Sequence, residues 1–303
     1  MWEPGDVTLP PPLPPDRDPG DNWAYAADGT RYWGAFGASG LLAHDPLRGV
    51  LLQHRAEWSH HGGTWGIPGG ALHRGEVPLD GALREAAEEA GVPRDAVAPT
   101  AVHVLDLEVW RYSTVVATTS RAFDPVAADA ESIALEWIAL DAVAERPLHP
   151  GFAASWPMLR DALAHRPAVV VDAANVVGSV PDGWWRDRRG ANRRLIARLG
   201  ALASAGVPAA LLGLELDRWF PRIVAVVEGR SRDVPGVPGV EVVAAPGAGD
   251  DAIVAQATAL AGDGHRVTAV TSDRALAARL AGVAAVRGSG ALLTLLDGVA
   301  PRQ

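Results

Sequence analysis

The 303-residue chain contains no cysteine. That excludes a disulfide framework and any thiolate metal site, so a bound metal must be held by oxygen or histidine. Oxygen donors point to hard cations such as Mg2+ or Mn2+. Lysine is absent as well: all 27 cationic residues are arginine. Alongside abundant Ala, Gly and Pro, this reads as GC-rich coding and carries no functional weight. No uninterrupted apolar run approaches the ~20 residues that span a bilayer, and the N-terminus is proline-rich and acidic rather than basic and then apolar. A soluble cytoplasmic protein without membrane contact is the expectation.

The length is enough for two domains, each with its own core. Charge divides unevenly between them. Up to residue 166 there are 12 arginines against 23 acids, a balance of −11; from 167 onward 15 arginines meet 13 acids, a balance of +2. The first half therefore does not attract bare nucleic acid by its long-range field, and the second does not repel it.

Residues 1–21 form a proline-rich arm. Strand-like runs follow at 34–44 and 49–54, then a glycine-rich loop over 61–70, a helix over 78–90, strands at 101–107, 109–119 and 135–140, and a helix over 151–164. From Pro167 a regular alternation begins. A strand, AVVVD, leads to a helix over 183–205, strands at 209–214, 223–228 and 240–244, a helix over 249–261, a strand at 267–271, and helices over 272–280 and 289–296. Short β-branched strands between helices predict a parallel sheet covered on both faces. The fold class is α/β throughout: a mixed-sheet α/β/α sandwich over 22–165 and a mainly parallel α/β domain over 167–303.

The stretch REAAEEAGV sets Glu85, Glu88 and Glu89 within about 100° of one another around a helix, opposite Leu79, Leu83, Ala86 and Ala90. Read alone, it is a solvated stripe with Arg84 facing Glu88. The upstream spacing changes that reading. GALHRGEVPLDGALREAAEEAGV fits Gx5Ex7REUxEExGU at every specified position: Gly70, Glu76, Arg84, Glu85, Ala86, Glu88, Glu89, Gly91 and Val92. This is the Nudix box, and residues 22–165 resemble the Nudix hydrolase superfamily.

The resemblance implies Mg2+-dependent hydrolysis (Mn2+ being the alternative ion) of a nucleoside diphosphate linked to another moiety. The chemistry is consistent, since a polyanionic diphosphate reaches an acidic protein only through bridging cations. It also implies Glu85, Glu88 and Glu89 as metal ligands, the Gly69 carbonyl as a further one, Arg84 orienting Glu85, and Gly70 and Glu76 shaping the loop. The base that deprotonates water is Glu88 in the box, or Glu131 or Glu136 downstream, since family members differ. Trp58, His60, His61 and Trp65 surround the loop before the box. Trp65 and His61 are the substrate-binding candidates, with Trp65 packed beneath the loop as the alternative.

In the second half, Asp172 ends the first strand and Asn175 follows it. Glu228, the pair Asp250–Asp251 and Asp273 fall at comparable strand ends, where open parallel sheets bind ligands. Each taken singly is also an ordinary helix cap. In this order the acids resemble the NYN branch of the PIN-like nucleases. That family implies metal binding by Asp172, Glu228, Asp250 and Asp273 for RNA cleavage, with Asn175 and Asp251 supporting. DAAN departs from the more frequent DGxN turn. A haloacid dehalogenase phosphatase is set aside because Ala174 stands where it needs a second Asp. Arg186, Arg189, Arg193, Arg194 and Arg198 spread over one side of the 183–205 helix, as a solvated face or a phosphate-tracking stripe. Two alternatives to a nuclease stay open: a catalytically silent RNA-binding or interaction domain, and a nucleotide-sensing Nudix domain that regulates the nuclease.

Overall fold

A strand buried on both faces reads as an unbroken apolar run, and two such runs, SGLLA and AVVVD, stand in the two larger sheets of this protein. The computed structural model describes residues 18–59, 61–127, 130–181 and 183–300, so His60 and most of the proline-rich arm lie outside the described residues. The chain divides into two compact units, residues 1–163 and 164–303.

In the first unit, β1 (Trp23–Tyr25) and β2 (Arg31–Trp33) form an antiparallel hairpin. After them come β3 (Ala38–Asp45), β4 (Gly49–Arg55), β5 (Trp65–Gly66), β6 (Gly69–Ala71), α1 (Pro78–Ala90), β7 (Val97–Asp106), β8 (Arg111–Thr119), β9 (Ser132–Ile138) and α2 (Pro150–Ala162). The sheet is mixed. β3 runs parallel to β8 on one side; on the other it pairs antiparallel with β6 at its start and with β4 at its end. β7 extends the sheet beyond β8, while β5 and β9 pair with β4. Leu41 and Leu42 of β3 and Leu51 and Leu52 of β4 are buried in its core.

Helix α1 lies against β3, β6 and β8. Pro78 stands in its first turn, and Gly91 ends it in the left-handed conformation at φ 62°. There the Gly91 and Val92 amides donate to the carbonyls of Ala87 and Ala86, a helix stop that glycine makes without steric cost. The observed bounds are those the sequence predicts.

The second unit contains β10 (Pro167–Asp172), α3 (Ala173–Gly178), α4 (Arg188–Ala205), β11 (Val207–Pro208), α5 (Ala209–Leu212), β12 (Arg218–Trp219), β13 (Arg222–Val227) and β14 (Val240–Ala244). It closes with α6 (Gly249–Gly262), β15 (Arg266–Val270), α7 (Arg274–Arg279), β16 (Ala285–Arg287) and α8 (Ser289–Val299). Five strands form an all-parallel sheet in the order β14-β13-β10-β15-β16. The chain leaves β10 toward one edge and returns to its other side, so the strand order reverses at β10. Val170, Val224, Val226, Ile253, Ala269 and Leu276 fill the core beneath it.

Two sequence expectations fail in this unit. Residues 209–214, expected as a strand, contain helix α5, with Gly213 left-handed at φ 63°. Ala-Ala-Leu-Leu has high helix propensity, and a preceding Pro208 and a following Gly213 are the usual start and stop. Helix α4 begins at Arg188 rather than 183, because Asp187 caps it by accepting from the Gly190 amide. Trp184 and Trp185 therefore precede the helix and lie outside its apolar face.

Candidate functional site

The approach of β6 to β3 is possible only for glycine. A Cβ on Gly40 would stand 2.2 Å from the Tyr112 hydroxyl, one on Gly69 2.5 Å from the Ser39 carbonyl oxygen, and one on Gly70 2.7 Å from the Glu85 carboxylate. The bare backbone lets the edge of α1 sit directly on the strand. Its carboxylates are then gathered by one guanidinium. Arg84 donates from Nε to Glu76 Oε1 at 2.9 Å and from Nη2 to Glu76 Oε2 at 2.9 Å, while Nη1 reaches Glu85 at 2.8 Å and Glu88 at 3.1 Å. Nη2 also reaches the Ala71 carbonyl at 3.0 Å, fixing the fork to β6. Glu89, only 6% exposed, accepts from the Gly69 amide at 2.9 Å.

The electrostatics divide these acids. The Arg84 hydrogen bonds hold the Glu76 carboxyl down at about 2. Burial pushes Glu85 up to about 7 against the pull of Arg84, with Glu88 adding to the rise. Burial also raises the Tyr112 phenol, with Glu89 and Glu85 contributing. Arg84 thus faces three carboxylates at once, Glu76, Glu85 and Glu88. Among the described residues, no three His, Asp or Glu side chains are gathered as a ready-made metal cage. The donor set nevertheless fits a divalent cation: three hard-oxygen carboxylates share one helix edge. Glu88 is the open member, its side chain 59% exposed against 14% for Glu85.

The other sequence-predicted residues of this unit are placed differently. Glu131 lies in the loop before β9, where its carbonyl accepts from the Ala56 amide. Glu136, on β9, is paired with Arg146 at 2.9 Å. For Gly69 the amide, rather than the carbonyl, is the atom seen engaging the box. Trp65 is corrected as a base-stacking surface. It is 5% exposed, with His54 stacked on it at 4.7 Å and the Arg146 guanidinium over it at 4.8 Å. No ring face is left for a nucleobase. His61 is exposed, edge-on to His149 at 4.7 Å. Sequence reasoning passed over Tyr112 and Gly40, for which the aromatic-rich WRYS and the ASG of β3 are the only cues.

In the second unit, a cavity of about 410 Å³ opens at the carboxyl ends of the parallel strands, lined by Asp172, Asn175, Glu228, Asp250 and Asp273. Asp172 accepts from the Asn175 amide at 3.0 Å and the Thr271 hydroxyl at 2.9 Å. Burial raises its pKa, with Asp250 and Glu228 adding to the rise. Glu228 accepts from the Gly249 amide at 2.8 Å, and Asp273 caps α7 through the Ala275 and Leu276 amides. Asn175 clasps the far wall: its Oδ1 accepts from the Ser272 amide at 2.8 Å and the Ser289 hydroxyl at 2.5 Å. Asp251 points elsewhere, paired with Arg279 at 2.6 Å, so it does not support the cavity. Thr271 and Ser289 were missed, although Thr271 stands in the same TSD run as Asp273.

A family model for the NUDIX domain matches residues 36–161. The "Putative 8-oxo-dGTP diphosphatase 3" of Mycobacterium tuberculosis is 46% identical over 166 residues, covering 52% of this chain and 76% of that protein. A "Nucleoside triphosphate pyrophosphatase/Nudix hydrolase fusion protein" of Bifidobacterium longum is 41% identical over 155 residues, which is 48% of this chain and 32% of that one. Among solved structures, the Nudix hydrolase RenU from M. smegmatis shares 44% identity, spanning 48% of this chain and 96% of its own, with a TM-score of 0.44.

Proposed function

Since the chain belongs to the Nudix hydrolase family and is a pyrophosphohydrolase through its first unit, we propose that it cleaves the diphosphate of a nucleoside diphosphate linked to another moiety at the Arg84-centred carboxylate edge of α1. The observation that carries this reading is the fork itself. One guanidinium spans Glu76, Glu85 and Glu88 while the Gly69 amide holds Glu89. Glu85, Glu88 and Glu89 would hold Mg2+ or Mn2+, with the Gly69 carbonyl as a further donor. When bound, the ion screens the diphosphate and favours attack at phosphorus.

The chain's own groups do the remainder. Arg84 orients Glu85, and the exposed Glu88 accepts the proton of the attacking water. The new bond joins the water oxygen to phosphorus, the bridging P–O bond breaks, and nucleoside monophosphate leaves. The name of the M. tuberculosis relative makes an oxidised purine nucleoside triphosphate the first substrate to try.

The test is a screen of the full chain with Mg2+ over oxidised nucleotides, ADP-ribose-like dinucleotides and 5′-triphosphorylated or capped RNA, with monophosphate release as the readout. Glu88→Gln and Glu89→Gln are expected to abolish turnover. Turnover unchanged in both would refute the site.

A second reading is favoured by the cavity at the switch point of the parallel sheet. It resembles a PIN-like nuclease centre in which Asp172, Glu228, Asp250 and Asp273 would hold Mg2+ or Mn2+ for hydrolysis of an RNA phosphodiester. Wild type, but not Asp172→Asn, is expected to cleave single-stranded RNA with either ion. Equal cleavage by both, or none with any metal, would favour a catalytically silent RNA-binding module.

A further inference from the structure

One surface of the second unit is used neither by its core nor by the carboxylate cavity. Trp185 is 56% exposed and is the only exposed tryptophan among the described residues. Its ring meets Trp184 edge to face at 6.2 Å. The position of Trp184 ties this pair to the cavity. Gly178 lines the cavity, and a Cβ built on Gly178 would stand 3.8 Å from Cζ2 of Trp184. Trp184 therefore stands beside a cavity-lining residue, with Trp185 against it.

The cavity lining is acidic, while exposed arginines stand close in sequence to its lining residues and to the tryptophan pair. The Arg188 guanidinium lies over the Trp184 ring at 5.1 Å. Arg186 is exposed beside Trp185, Arg230 is exposed two residues after the cavity residue Glu228, and Arg274 is exposed next to Asp273. Arg189 of α4 pairs with Asp233 and Arg198 with Asp297, whereas among the described residues Arg186, Arg188, Arg230 and Arg274 form no ion pair with an acid. Burying an indole would have been the cheaper use of its apolar surface. An exposed indole flanked by exposed arginines suits a chain that offers flat bases and phosphates together.

We propose that Trp185, backed by Trp184 and flanked by Arg186 and Arg188, is a stacking platform for one base of a single-stranded polynucleotide, with Arg230 and Arg274 receiving its phosphates beside the acidic cavity. This deepens the second reading above and rests on it for the fate of the bound strand, but binding itself requires no metal and no cleavage. Duplexes bind poorly, because their bases are stacked on each other and unavailable to the indole.

The experiment is fluorescence anisotropy of the full chain with end-labelled 12-nucleotide oligouridylate, the deoxy strand of matching sequence, and a duplex, all in EDTA so that no cleavage intervenes. Binding of either single strand more tightly than the duplex supports the platform; binding of neither overturns it. Trp185→Ala is expected to weaken binding about 5- to 150-fold, the range of one base–aromatic stack. Trp185→Phe keeps most of it. Arg230→Ala with Arg274→Ala lowers the slope of log affinity against log salt by about 0.7 for each phosphate contact removed.

A Trp185→Ala protein that binds like wild type would overturn the proposal, provided its circular dichroism and melting match wild type. The two readings fail separately. Binding without Mg2+-dependent cleavage sinks the nuclease and leaves the platform; cleavage and affinity both indifferent to Trp185→Ala sink the platform and leave the nuclease.

Discussion

Arg84 and Glu76 meet as a two-pronged pair, Nε to Oε1 and Nη2 to Oε2, both at 2.9 Å, across eight residues of chain. Both side chains are mostly covered, 20% and 15% exposed. The pair joins the loop after β6 to the first half of α1, and its remaining N–H groups reach Glu85, Glu88 and Ala71. Arg84→Lys keeps the charge and loses the fork. The expected cost is about 1.5–3 kcal/mol of stability, the range for hydrogen bonds to charged groups. Turnover should fall with it, because Glu85 loses its orienting contact. Chemical denaturation and monophosphate release measure the two effects.

The same pair sets an acid limb. Glu76 has its carboxyl lowered from 4.5 to about 2 by the Arg84 hydrogen bonds. A depressed folded-state pKa contributes stability that is present above the unfolded value and is lost as pH falls through the folded one. Its contribution is therefore complete above about pH 4.5 and disappears toward pH 2. Glu76→Gln is expected to be less stable than wild type at pH 7 and to converge on it in acid. Melting curves between pH 7 and pH 2.5 check this, and parallel curves would exclude the linkage.

Gly40 is predicted to tolerate no side chain. A Cβ there would come within 2.2 Å of the Tyr112 hydroxyl and 2.9 Å of the Pro68 carbonyl oxygen. Gly40→Ala must move β6 or Tyr112, an overpacking cost of about 1–3 kcal/mol. Adding Tyr112→Phe removes the closer clash and should restore part of the loss; the Pro68 contact keeps the rescue incomplete. Equal melting temperatures for Gly40→Ala and wild type would refute the crowding.

Legibility tracks how local each cause is. Helix α1 was readable to its ends because Pro78, Gly91 and the carboxylate spacing act within one segment. The box also names its partners, so the sequence alone groups Arg84 and Glu76 with the three glutamates. The strands β1, β2 and β16 were not readable, each being three residues long and held by pairing rather than by pattern. The burial of Trp65 under His54 and Arg146 depends on residues 11 positions upstream and 81 downstream, which no window contains. Residues 209–214 suit either element by their two leucines, and only the order of Pro208 before and Gly213 after them favours the helix.

The base assignment can be tested within one set of variants. The Glu88 side chain accepts from Arg84 at 3.1 Å and is 59% exposed. Glu136 is tied to Arg146 at 2.9 Å, while Glu131 stands on the loop leading into β9. A base must reach the water it deprotonates, and loss of one typically costs 10²–10⁴-fold in rate. Glu88→Gln should therefore lower kcat by roughly that factor, with melting unchanged because its side chain is exposed. Glu136→Gln should lose only a surface ion pair, about 0–1 kcal/mol of stability, and retain its rate. If Glu131→Gln rather than Glu88→Gln produces that loss of rate, the proton passes to the downstream loop and Glu88 is left as a metal ligand alone.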